Sequence, residues 1–340
     1  MRAAVDVMGG DHAPAAILKG CFEAAPLLDA QQDTIYLVGD ESAINDALKS
    51  VDLPADVKKI YKVVATTQVI EMDDPPVEAI RNKPKSSINV MCDLAKKGEA
   101  DAVISAGNTG ACVAAAQLKM RTLPGVSRPG IAVVLPTFHG PVIICDVGAN
   151  IAPKPKHLEQ YAIMAGAYGK AVCGIENPRI GLLSIGEEDA KGTTTVKEAR
   201  QLMRDEPQIN FIGNVEGRDL FKGVVDVVVC DGFVGNIVLK FTEGMAEGLF
   251  QTIMAELQEF APELLDQFKP VMKKIYQKHD WQEYGGAPLL GVGGYCLICH
   301  GRSDSRAIKN AIRVAKQLVA SDVNKRIVET IEKSIPGGED

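Results

Sequence analysis

The stretch Asp101–Gly110, DAVISAGNTG, joins a short apolar strand to a turn carrying two glycines, and an alanine-rich run from Ala111 to Lys119 follows it. Strand, glycine turn and helix start together suit an anion. The first amide N–H groups of a helix lack intrahelical acceptors, and the helix dipole favours negative charge at that end. Gly107 and Gly110 let a ligand come close to the backbone, while Ser105, Asn108 and Thr109 add side-chain donors. The pattern D-x-V-x-x-x-G-x-x-G recurs position for position at Asp226–Gly235, with Asp231 inside the turn and Asn236 directly after it. This doubling predicts two ligand-binding turns facing one crevice.

Other strand ends repeat the chemistry. Residues 2–7 read as a buried strand that delivers Asp6 and then Met8-Gly9-Gly10-Asp11-His12-Ala13-Pro14, with Pro14 opening a helix. Asp11 either caps that helix or meets a ligand, and His12 beside two glycines has no packing reason to be there. The run Val142–Cys145 ends in Asp146-Val147-Gly148-Ala149-Asn150, and a strand over 180–185 ends in a loop that carries Lys191. Lys191 is either a phosphate cation or a solvated surface lysine. A strand over 209–212 runs into Gly213-Asn214. Five or six strand ends finishing in Gly with Asn, Asp or Lys predict an α/β fold, since open α/β sheets bind ligands beyond their strand ends. The acids of Met72-Asp73-Asp74-Pro75-Pro76 read as a charged helix cap rather than a metal site, and no metal is expected.

These elements need a sizeable core, which 340 residues at 46% apolar and 24% charged can supply as a single α/β domain. The net charge of −7 argues against a nucleic-acid partner. Arg2 and Asp6 interrupt any apolar leader, and no run of 18 or more apolar residues occurs, so a cytoplasmic protein is expected. Eight cysteines then read as reduced packing thiols, including Cys296 and Cys299 of the C-x-x-C-H stretch.

Residues 241–279 break the alternation. They predict a helical hairpin divided near Pro262 and Pro270, with Met245, Leu249, Ile253 and Leu257 along one face. Phe260, Leu264, Leu265 and Phe268 bracket the bend at Pro262. Such a surplus of apolar residues pairs subunits or touches a membrane surface. Basic residues gather in the same region, among them Lys273, Lys274 and Arg306. They form a docking face for something acidic or a solvated helix flank.

With these residues in view the chain resembles the bacterial PlsX family of acyl-ACP:phosphate acyltransferases. The matching stretches are Asp6-x-Met8-Gly9-Gly10-Asp11-His12-Ala13-Pro14, Ser105–Gly110, Asp146–Asn150, Gly213–Asp219, Asp231-Gly232-Phe233-x-Gly235-Asn236, Tyr284-Gly285-Gly286-Ala287 and His300-Gly301-Arg302-Ser303. They run in order along nearly the whole chain. The resemblance implies a three-layer α/β/α fold of the isocitrate/isopropylmalate dehydrogenase type, related to phosphotransacetylases, in a homodimer. It implies transfer of a fatty acyl group from acyl carrier protein to inorganic phosphate, without a cofactor. The acyl phosphate would pass to a membrane glycerol-3-phosphate acyltransferase for phosphatidic acid synthesis, and the protein would associate peripherally with the membrane.

That chemistry agrees with the residues. Phosphate is already an anionic nucleophile, so it must be held and aimed rather than activated; no G-x-S-x-G elbow is present. Direct displacement is expected, without an acyl-enzyme. His12, Lys191 and Asp231 are the candidates for catalytic or phosphate-orienting roles. Gly107, Asn108, Thr109, Gly110, Asn150, Asn214 and Asn236 are the candidates for phosphate or substrate binding. Lys273, Lys274 and Arg306 would dock the carrier protein, and Leu264, Leu265 and Phe268 would meet the membrane. Two rival readings stand beside this one: an NAD(P)-dependent dehydrogenase of the same fold group, and a non-catalytic carrier-protein or membrane adaptor.

Overall fold

The computed structural model describes residues 1–279 and 285–334. Its strands are β1 (Arg2–Asp6), β2 (Thr34–Gly39), β3 (Tyr61–Ala65), β4 (Ala102–Ser105), β5 (Gly130–Thr137), β6 (Gly140–Cys145), β7 (Arg179–Leu183), β8 (Asn210–Val215), β9 (Val227–Val229), β10 (Ala287–Leu290) and β11 (Tyr295–Ile298). They hydrogen-bond into one sheet in the order β3-β2-β1-β4-β11-β10-β5-β6-β9-β7-β8. The central strands, such as β4 and β9, are buried at every position, as strands covered on both faces must be.

Apart from β3, the order mirrors itself about the β10–β5 pair. On one side β2, β1, β4 and β11 are mutually parallel and β10 runs against β11. On the other, β8, β7, β9 and β6 are parallel and β5 runs against β6. Since β10 and β5 are antiparallel, the parallel strands of the two halves point in opposite directions. The aspartate that opens each sequence repeat has a matching place. Arg2 donates to Asp101 and to the Gly98 carbonyl, and Arg179 donates to Asp226 and to the Gly223 carbonyl. Each Arg–Asp pair ties the start of one strand to its neighbour, so the first letter of the repeat is structural.

Helices cover both faces. Alternate strand residues such as Val5, Ile104 and Ile143 share one core with α1 (Ala15–Glu23), α2 (Glu41–Ser50), the single turn α3 (Ala55–Lys58) and four later helices. The opposite face, with Ala4, Val103 and Ile144, packs beneath α4 (Pro76–Asn82), α5 (Ser87–Lys96) and α6 (Thr109–Ala115). The later helices of the first face are α7 (Pro155–Ala171), α8 (Thr194–Asp205) and, near the C-terminus, α11 (Ser305–Ser321) and α12 (Val323–Ser334). Between them in sequence come α9 (Gly232–Phe260) and α10 (Leu265–His279).

The last two form the expected hairpin, but it turns only once. The chain reverses at residues 261–264, and Pro270 sits inside α10 instead of ending it. A proline removes one helical donor; Asp266, whose carbonyl loses that partner, lies on an exposed turn where water can replace it. Of the 29 residues in α9, only Gly232, Gly235 and Leu239 are buried. No helix among the described residues is long and apolar enough to cross a membrane. Tyr284, from the Tyr284-Gly285-Gly286-Ala287 stretch, lies outside the described residues.

Candidate active site

Each half of the sheet ends in a cradle built on a buried carboxylate. At the end of β1, Asp6 accepts from Ser105 Oγ at 2.7 Å and from the Met8 amide at 3.0 Å. Gly9 and Gly107 meet so closely that a Cβ on Gly9 would stand 2.7 Å from the Gly107 nitrogen, which explains Gly9. After β6, Asp146 accepts from the amides of Ile131, Ala149 and Asn150 at 2.9, 3.1 and 2.7 Å. Here a Cβ on Gly232 would lie 2.7 Å from the Asp146 carboxylate. Burial pushes both acids up, Asp146 to about 6.

The cradles lie at opposite edges of the sheet, because β4 and β9 run in opposite directions. The expectation that the two glycine turns face one crevice is therefore corrected in part: the strand ends lie at opposite edges, which matching local sequence cannot reveal, and only Thr109 in the first turn and Asn236 just after the second reach a common cavity. Gly107–Gly110 and His12 belong to one edge. Asn150, Lys191, Asn214 and Asp231 belong to the other.

Several candidates are already engaged. Asn108 caps α6 by accepting from the Ala111 amide, and its Nδ2 donates to the carbonyls of Glu71, Met72 and Asp74. It thereby pins the loop before α4. Gly110 is a packing glycine, since a Cβ there would stand 2.6 Å from Pro76 Cγ. Asn150 Nδ2 donates to the Pro129 carbonyl and Tyr161 Oη at 2.7 and 2.8 Å. Asp231 caps α9 through the Val234 amide, and Asn214 Nδ2 donates to the Glu188 carbonyl. His12 and Lys191 are exposed.

Thr109, from the first repeat, and Asn236, directly after the second, do come together. They line a cavity of about 300 Å³. Its polar rim holds Asp11, Lys240, Glu243, His300, Arg302 and Ser303, and its interior is lined by apolar side chains including Ile131, Val147, Leu239 and Ile298. Burial, together with Lys240 and Arg302, holds His300 below the usual imidazole range. The Arg302 amide donates to His300 Nδ1 at 3.1 Å, which leaves the ring proton on Nε2. Ser303 is 1% exposed, and its Oγ has no hydrogen-bond partner among the described residues. A buried hydroxyl left unmatched beside a cavity is suited to a ligand.

Sequence reasoning passed over most of this rim. Asn236, Lys240 and Glu243 stand at i, i+4 and i+7, which is a polar stripe on one face of α9 and was legible as such. Arg302 and Ser303 stood in a noted stretch without an assigned role. Only the pairing of β11 with β4 brings them to Thr109.

The arrangement offers cations and neutral donors at the mouth of an apolar hollow, which suits an anion reacting with a substrate that has a greasy end. Residues 1–326 match the family model described as "Fatty acid synthesis protein". The chain belongs to this family. Among its relatives, a phosphate acyltransferase from Heliobacterium modesticaldum is 47% identical over 99% of this chain and 98% of its own length. Another phosphate acyltransferase, from Nostoc punctiforme, is 47% identical over 96% of this chain and 95% of its own. Fatty acid synthesis family members of this kind are acyltransferases, so the resemblance read from the motifs holds. Among solved structures, a phosphotransacetylase from Streptococcus pyogenes superposes with a TM-score of 0.64 at 15% identity, covering 96% of this chain and 94% of that one. That likeness speaks for the α/β/α fold and its relation to the phosphotransacetylase architecture.

Proposed function

We propose that this acyltransferase moves a fatty acyl group from the thioester of acyl carrier protein to inorganic phosphate. The product is an acyl phosphate, which a membrane glycerol-3-phosphate acyltransferase consumes on the way to phosphatidic acid. The observation that carries the reading is the cavity, where phosphate-compatible donors open onto an apolar interior. The 47% identity to proteins named phosphate acyltransferase supports it.

Arg302 and Lys240 hold the phosphate anion at the rim, with Thr109 and Asn236 as neutral partners. A phosphate oxygen attacks the thioester carbon; a C–O bond forms, the carbonyl oxygen takes up charge, and its collapse breaks the C–S bond. The Nε2–H of His300 and the hydroxyl of Ser303 are the donors suited to the oxyanion. The departing thiol has an ordinary pKa of about 8.5, so it leaves without a strong acid. A covalent acyl-enzyme is disfavoured by the thiol nearest at hand. Cys299 lines the cavity, but burial pushes it up to about 12, leaving little thiolate.

The outer face of α9 is assigned to subunit pairing, the hairpin tip at Leu264, Leu265 and Phe268 to a membrane surface, and Lys273, Lys274 and Arg306 to the acidic carrier. The test is thiol release from acyl-ACP with phosphate present or omitted, and with or without a nicotinamide cofactor. Release that depends on phosphate alone is expected. Release that ignores phosphate, or that requires the cofactor, sinks the proposal.

A further inference from the structure

The cavity does not stop at the sheet. β5 and β10 are paired only at Leu290↔Gly130 and Leu289↔Ile131. Beyond those rungs no further pairing joins them, although each keeps its outer neighbour: β5 stays paired to β6 through Thr137, and β10 to β11 through Ala287. This interrupted seam lies inside the sheet, not at a frayed edge. Side chains on a strand alternate between faces, and the cavity takes both sets. Ile131 and Val133 belong to the core beneath α4–α6, whereas Val134 and Tyr168 belong to the core beneath α7. Gly285 and Gly286 precede β10 and line the cavity, and a Cβ on Gly286 would stand 2.9 Å from Cys299 Sγ. The cavity therefore draws on both faces of the sheet at the β5–β10 seam, and Val134 and Tyr168, its lining residues on the side of α7, are 6% and 2% exposed.

We infer that this cavity receives the acyl chain of the donor, methyl end first, and that Val134 and Tyr168 form the stop that sets its length. The inference rests on the acyl-transfer reading above. A cavity with polar residues on one side and apolar residues on the other accepts an unbranched alkyl chain and leaves its thioester beside Ser303 and His300. Each methylene that enters leaves water, so affinity for the transition state rises with chain length until the chain meets the stop. It then levels off.

The experiment measures kcat/KM for a series of acyl-ACP thioesters from butyryl to stearoyl, at saturating phosphate. For the wild type the value should climb by up to about fourfold per methylene and then reach a plateau. Val134→Phe, which fills the side toward α7, should move the plateau to shorter chains and lower the palmitoyl-to-butyryl ratio by about tenfold or more. Tyr168→Leu, which enlarges it, should move the plateau to longer chains. A ratio within twofold of wild type in both variants overturns the inference, as does a flat wild-type profile, which decides the matter even if neither variant folds. A wild type that releases no thiol in response to phosphate fails the acyl-transfer reading instead, so the two failures are told apart.

Discussion

Asp6 and Asp146 hold backbone amides rather than substrate, and their energetics follow from that. Asp146 is raised to about 6 against an ordinary 3.8. The folded protein thus binds this proton more tightly than the unfolded chain does. The stability that protonated Asp146 contributes is complete below about pH 4 and is lost as pH rises through about 6. Comparing urea unfolding of wild type and Asp146→Asn across that window should show the wild type losing more. The upper bound on the difference is about 3 kcal/mol, and parallel pH profiles would remove Asp146 as the source. Among the rim residues, Arg302→Ala should raise the phosphate KM by about tenfold or more, the cost of one charge-assisted contact. Lys191→Ala is the informative comparator. If it moves the phosphate KM and Arg302→Ala does not, the phosphate site belongs at the other edge of the sheet. Gly110→Val is not a clean probe of anion binding, because its added side chain would meet Pro76 and disturb how α4 packs on α6.

At the scale of elements, α9 presents two different faces. Asn236, Lys240 and Glu243 face the cavity. Phe233, Ile237, Phe241, Met245 and Leu249, each four residues from the last, are 60, 51, 69, 61 and 58% exposed. A stripe of that length left in water marks an interaction surface, and an identical helix from a second copy is the occupant proposed for it. Leu264 and Leu265 are half-buried and Phe268 is 40% exposed at the hairpin's far end. Insertion of each large side chain into lipid is worth roughly 1.5–3 kcal/mol, enough for reversible attachment. Replacing these three residues with Ser should release the protein from anionic vesicles in a flotation assay, with the dimer intact by sedimentation. Dissociation into monomers would instead assign them to the subunit contact.

For the whole molecule, a net charge of −7 makes any approach by an acidic carrier depend on local cations. Lys273 and Lys274 are exposed on α10, and Arg306 lies on the first turn of α11. Reversing all three charges should raise the KM for acyl-ACP and flatten its dependence on salt, because the steering interaction that salt screens is gone. An unchanged salt response would move the docking face elsewhere. Much of the architecture was legible without coordinates, because strands, glycine turns and caps are local properties. The runs ending at Asp6, Ser105 and Cys145 became strands, and the hairpin reversed beside Pro262. The family could be read for the same reason, since its motifs are contiguous stretches. Tertiary structure decided which of these stretches meet. The repeats at 101–110 and 226–235 look equivalent in sequence, yet the antiparallel β5–β10 junction sends them to opposite edges. Asn108 reads as a free donor until the loop at 71–74 arrives to occupy it. The rim is assembled from Thr109, Lys240 and Arg302, and the cavity draws on both sheet faces where two strands stop pairing. Strand order and direction are set by the burial of both sheet faces at once, a condition on the whole chain that no local stretch encodes.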